Sequence, residues 1–137
     1  MTRNSLTYAI ALGVLVVMVG CSKGQTKPQF GEAIDSNLPR VKLAELIAHP
    51  DQYEGKTVVV DGEYAGKCAG DDGDFYFKDR FDMIEADPPT PAVIAELEKG
   101  MAVRLYGVVK VRRRTVVPGE KPADPDVKIA AKGVQVL

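Results

Sequence analysis

Five features of this 137-residue chain carry side chains that could do chemistry. Cys68 leads into Ala69-Gly70-Asp71-Asp72-Gly73-Asp74, which sets a thiol beside three carboxylates. Carboxylate-rich loops hold hard divalent cations, and a thiolate adds a softer ligand. A weak metal site here would use Cys68, Asp71, Asp72 and Asp74. The loop lacks both the Asp-x-Asp-x-Asp-Gly spacing and the closing glutamate of a calcium hand, so its plainer reading is a solvated acidic turn. A lone cysteine such as Cys68 most often serves as a small, half-apolar packing residue. Arg104, Tyr106, Lys110, Arg112 and Arg114 recur at even spacing and share one face of an extended strand. Such a basic stripe, with Tyr76 as a flat ring, suits an anionic partner: lipid, glycan, protein or the phosphates of a nucleic acid. The acidic loop beside it would repel phosphates, which argues against nucleic acid. The single histidine, His49, precedes Pro50 with no Asp, Ser or Cys motif near it, and reads as part of a helix end. Cys21 closes an apolar run and is treated below.

Composition narrows the classes further. The chain is 45% hydrophobic and 27% charged, enough to bury one core and too apolar for disorder along its whole length. Eighteen basic residues nearly cancel nineteen acidic ones, so net charge advertises no polyanionic partner. Two cysteines cannot build a disulfide scaffold, and one histidine cannot build a histidine-rich metal site. There is no Gly-x-x-x-x-Gly-Lys-Ser/Thr phosphate loop, no Gly-x-Ser-x-Gly elbow and no Cys-x-x-Cys pair. No nucleophile, base and oxyanion donor gather in one neighbourhood, so the sequence points to a non-enzyme that needs no cofactor.

The first 21 residues read as an address. Arg3 supplies a positive start, and residues 6–19 form an uncharged, mostly apolar run. At about 1.5 Å per helical residue this run is too short to cross a ~30 Å hydrocarbon core, and it fits a secretory signal instead. It ends Val17-Met18-Val19-Gly20-Cys21, which resembles the lipobox of bacterial lipoproteins, with Met18 where that family usually has leucine. The resemblance implies cleavage before Cys21, acylation of that cysteine, and a protein anchored to a membrane and facing the periplasm. Ser22, in place of an aspartate, resembles the sorting signal for the outer membrane. The expected organisation is a signal peptide at 1–20, a flexible lipid-anchored tether at 21–40, and a folded domain at 41–137.

The folded part reads as strands with little helix. Leu43, Leu46 and Ile47 make one apolar helix face, and Pro50 stops that helix at about Ala48. Two segments align without a gap: Gly55-Lys-Thr-Val58-Val-Val60-Asp-Gly62 and Gly100-Met-Ala-Val103-Arg-Leu105-Tyr-Gly107. Each predicts a long strand with apolar residues at period two and a glycine where the strand bends or bulges. Between them lie two shorter strands, over 74–78 and 81–86, joined by a tight hairpin. A helix follows over 91–99, with Thr90 as its cap, Pro91 in its first turn and Gly100 at its end. A proline-bearing loop over 116–126 leads to a last strand over 127–137 that shifts at Gly133.

Strand, strand, strand, helix, strand, strand is the layout of the five-stranded OB-fold Greek-key barrel, an all-β class with one or two short helices. The run from Ala48-His-Pro-Asp-Gln-Tyr through Gly-Lys-Thr-Val to Glu63, with Phe75-Tyr-Phe-Lys-Asp, resembles bacterial envelope domains built on a tRNA-anticodon-binding-like OB barrel. That resemblance covers residues 41–137. OB barrels bind through their second and third strands and the two loops flanking them. The functional expectation is therefore a lipoprotein that binds an envelope protein or glycan through Tyr76, Arg104, Tyr106, Lys110, Arg112 and Arg114. The alternative is a small-ligand or divalent-metal binder using the Cys68 loop.

Overall fold

The structure, a computed structural model, describes residues 27–70 and 73–137. The apolar run over 6–19, Cys21, Asp71 and Asp72 lie outside them. Chain order is β1 (Gln29–Gly31), α1 (Leu43–Ala48), α2 (Pro50–Tyr53), β2 (Thr57–Lys67), β3 (Phe75–Asp79), β4 (Asp82–Asp87), α3 (Ala92–Glu96), β5 (Ala102–Arg112) and β6 (Asp126–Val136). Antiparallel pairing joins β5 to β2, β2 to β3, and β3 to β4; β4 runs parallel to β6, and β6 closes onto β5. These five strands make a closed OB-fold barrel, as the sequence layout predicts.

The matching glycine-bounded segments become the two long strands, paired with each other so that Val60 faces Leu105 and Gly62 faces Val103. Val58, Val60, Val103 and Leu105 are all buried at 0–1% exposure. Period-two alternation sends them into the barrel and their neighbours out. The glycines earn their place by proximity. A Cβ on Gly62 would collide with the Phe77 ring and the Lys78 carbonyl, and one on Gly107 with the Ala130 carbonyl. The bulges sit nearby. One extra residue, Ala65, enters β2 opposite β3, and another, Lys132, enters β6 opposite Tyr106 and Gly107. The second is the shift at Gly133 that the sequence foretells. Such bulges sharpen the coiling that a five-stranded barrel needs.

Phe75 and Phe77 point inward at 0% exposure, so Tyr76 between them faces out. Leu43 and Leu46 from α1, Val93 from α3 and Leu97 just after it cap the core. Ile47 departs from expectation. It is 38% exposed, because a six-residue helix buries only its i, i+3 pair here. Thr90 departs too: Pro91 takes the cap position, and the Thr90 carbonyl, not its hydroxyl, receives the Val93 N–H at 3.2 Å. Beyond α1, Pro50 opens the one-turn helix α2.

The reading of residues 21–40 as a flexible tether needs correction from Pro28 onward. Gln29–Gly31 adds a strand to β6, and Phe30 packs against the core. The chain then crosses the barrel. Val59 donates its N–H to the Pro39 carbonyl at 3.2 Å, and Val41 donates to the Val59 carbonyl at 2.9 Å. This strap covers Val59, which leaves Val58, Val59 and Val60 buried in succession. A three-residue strand is too short to show any period, so its sequence carries no signal.

Candidate functional site

The outer face of β3 and β4 forms the floor of an open groove of about 370 Å³. Tyr76 comes from β3, and Met83 and Glu85 from β4. Ile47 is the rim from α1. Arg112 and Arg114 stand at the start of the 113–125 loop, and Pro125, Asp126, Val127 and Lys128 at its far end. The volume lies within the ordinary range for ligand sites. Met83 and Ile47 are exposed at 55% and 38%, so apolar surface lies open beside the arginines.

The basic stripe divides along its length. Arg112 and Arg114 reach the groove together with Tyr76. Arg104 does not: it lies over the strap side, in a two-pronged pair with Asp61 at 2.5 and 2.9 Å. Tyr106 turns toward Lys132, whose ammonium lies 5.9 Å from the ring centre. Lys110 pairs with Asp87 at 3.5 Å. Coiling of the strand around the barrel carries residues of one nominal face into different surroundings. Arg113, on the opposite parity, pairs with Asp51 and Glu54. Arg114 is only loosely held by Asp126 at 3.7 Å, and Arg112 has no ion-pair partner among the described residues. The two groove arginines are thus the least committed cations of the stripe.

Beside the groove, Lys128 is clamped between Asp74 and Asp87 at 2.6 Å each. The three side chains are 16%, 14% and 31% exposed. Burial pushes the Asp87 carboxyl up, but the Lys128 bond and its charge outweigh this and leave it below the usual carboxylate range. Lys128 is correspondingly raised: its two carboxylates overcome the burial that would lower it. The signs fix a pH window. A depressed carboxylate contributes stability above its unfolded value, lost as pH falls through the folded value. A raised lysine contributes below its unfolded value, lost as pH rises through the folded one. The clamp should therefore act fully between about pH 5 and pH 10. Lys128→Met leaves two carboxylates facing each other, at an expected cost of about 1–2 kcal/mol at pH 7, discounted for partial exposure. Urea unfolding of both proteins at pH 7 and pH 3 checks this. The difference should shrink at pH 3, and a difference independent of pH would show that the clamp is not electrostatic.

This clamp bears on the metal reading. Asp74 already spends its carboxylate on Lys128, and among the described residues no three His, Cys, Asp or Glu side chains gather as a metal site. Cys68 closes the loop by donating its N–H to the Asp74 carbonyl at 2.9 Å. Its half-buried thiol is raised by burial first and by the Glu85 charge second, against a hydrogen bond with Tyr76 that lowers it. A raised thiol stays protonated at neutral pH, the opposite of an activated nucleophile. His49 sits exposed between α1 and α2, where its N–H bonds the Glu45 carbonyl as the helix cap.

Met83, Glu85, Asp126 and Lys128 were not singled out by sequence. Alternation of Ile84 and Ala86 inward on β4 is the signal that could have found Met83 and Glu85. The groove residues from β6 needed the β4–β6 pairing, which no local pattern reports.

No family model and no curated protein matches the chain. Solved structures do. A putative aspartyl-tRNA synthetase from Leishmania major Friedlin matches with TM-score 0.54 and 11% identity over 81% of this chain and 23% of that one. OBody AM2EP06, bound to hen egg-white lysozyme, matches with TM-score 0.54 and 22% identity over 77% of this chain and 97% of that one. Asparaginyl-tRNA synthetase from Pyrococcus horikoshii matches with TM-score 0.51 and 16% identity over 73% and 23%. The chain spans under a quarter of either synthetase. At these identities the matches speak for architecture alone, and that architecture is the OB-fold.

Proposed function

We propose that this is a non-catalytic lipoprotein of the bacterial cell envelope whose OB barrel binds a protein or glycan partner. One observation carries the binding half: the groove joins Tyr76, the exposed apolar groups of Met83 and Ile47, and the loosely held cations Arg112 and Arg114. Unspent charge beside open apolar surface is what a partner site needs and a monomer does not. Two of the fold's usual binding strands, β3 and β4, and one of its two binding loops, that over 113–125, build this groove. The OBody bound to hen egg-white lysozyme is a precedent for a protein partner on this architecture.

The anchor half rests on Val17-Met18-Val19-Gly20-Cys21. Lipidation at Cys21 would leave the barrel facing the periplasm, with Ser22 favouring the outer membrane. The test is crosslinking in intact envelopes followed by purification. A partner should be recovered with the native chain and reduced about tenfold with Arg112→Ala/Arg114→Ala, the loss of one to two kcal/mol of charge-assisted contact. Recovery equal to native would move the working face elsewhere.

A further inference from the structure

The groove's own chemistry selects among partners, and this step rests on the reading of the groove as the working face. Its walls combine Ile47, Met83 and Val127 with two arginines, while Lys128 is already neutralised by Asp74 and Asp87. The available charge is therefore that of Arg112 and Arg114, set against Glu85 and the loosely engaged Asp126. A glycan site needs ring platforms and paired hydrogen-bonding groups, and Tyr76 is the only aromatic in the lining. A bilayer is planar, whereas this lining is concave. Apolar walls with cations at one margin suit a leucine-sized side chain held next to a carboxylate.

Chain geometry agrees. The described chain begins at the far end of β6, where Val136 donates its N–H to the Pro28 carbonyl at 2.9 Å. The groove takes its β6 residues from Asp126, Val127 and Lys128. Eight strand residues, less one bulge, separate Val136 from Lys128, or about 23 Å at ~3.3 Å per residue. Only residues 22–27 separate Cys21 from Pro28, a reach of at most about 25 Å. An anchor at Cys21 would therefore join the barrel at the end of β6 away from the groove.

We infer that the groove takes an acidic, apolar segment of another protein, arriving from the aqueous side rather than from the bilayer that holds the anchor. The probe is a blocked, fluorescein-labelled nonapeptide in which glutamates alternate with leucines between Gly-Ser ends. It is titrated by anisotropy against the mature lipidated chain, once in detergent and once in phosphatidylcholine vesicles. Binding should be equal in the two within about twofold, and Arg112→Glu should weaken it by at least about tenfold. A lysine-for-glutamate peptide should not bind. Three results would overturn the inference: no binding of the acidic peptide, displacement of it by a chito-oligosaccharide, or loss of binding in vesicles alone. Failure of the chain to acquire palmitate or to float with vesicles, with peptide binding intact, would instead remove the anchor reading and leave the groove's chemistry standing.

Discussion

Phe77→Ala is expected to destabilise the barrel by about 3–5 kcal/mol, against a total stability of about 5–15 kcal/mol for a domain this size. The ring is fully buried, and it fills the space that Gly62 leaves by having no side chain. Truncation removes the ring's transfer free energy and opens a cavity, because the closed barrel around it cannot collapse to refill the space. Tyr76, the groove residue, shares its strand, so partner binding should fail with the fold. Phe77→Leu keeps most of the volume and should cost about 1–2 kcal/mol. Urea unfolding followed by circular dichroism measures both. A loss below 1 kcal/mol for the alanine variant would mean that Phe77 is not a keystone of the core.

Cys21→Ser carries the second large effect: complete loss of palmitate labelling and of membrane retention, with the folded domain unchanged. Each buried methylene contributes about 0.8 kcal/mol, so two acyl chains hold a protein where one binds only reversibly. No partial phenotype is expected, because serine offers no thiol to acylate. Metabolic palmitate labelling and envelope fractionation report it. Retained label in the variant would refute the lipobox reading, and a soluble native chain would refute the anchor.

The barrel was legible because its instructions are local. Val58 and Val60, and Val103 and Leu105, alternate clearly, and Gly62 and Gly107 mark the matching bends. Pairing and closure follow from having two such strands around a hairpin and a helix. What escaped the sequence is long-range. Residues 29–31 are too few to show a period and become a strand only because β6 offers an edge there. The strap over Val59 is fixed by backbone hydrogen bonds, which any sequence can make. At the site, Tyr76, Arg112 and Arg114 share one groove, and the sequence alone does not separate Arg104, Tyr106 and Lys110 from them. Strand parity places all five stripe residues on one side, and only the barrel's coil and the positions of Asp61, Asp87 and Lys132 divide them. The acidic loop is similar: Asp74 looks free in the sequence, and only β6 brings Lys128 against it.

Site-specific photocrosslinking tests the central claim most directly. A benzophenone side chain replaces Tyr76 or Met83 in the groove, and, as a control, Glu98 beyond α3, in cells making the full lipidated chain. Irradiation should join the groove positions, but not position 98, to one recurring protein of the envelope, and adding Arg112→Glu should erase the adduct. Equal adducts from all three positions, or a recurring adduct from position 98 alone, would contradict the assignment of the groove as the working face.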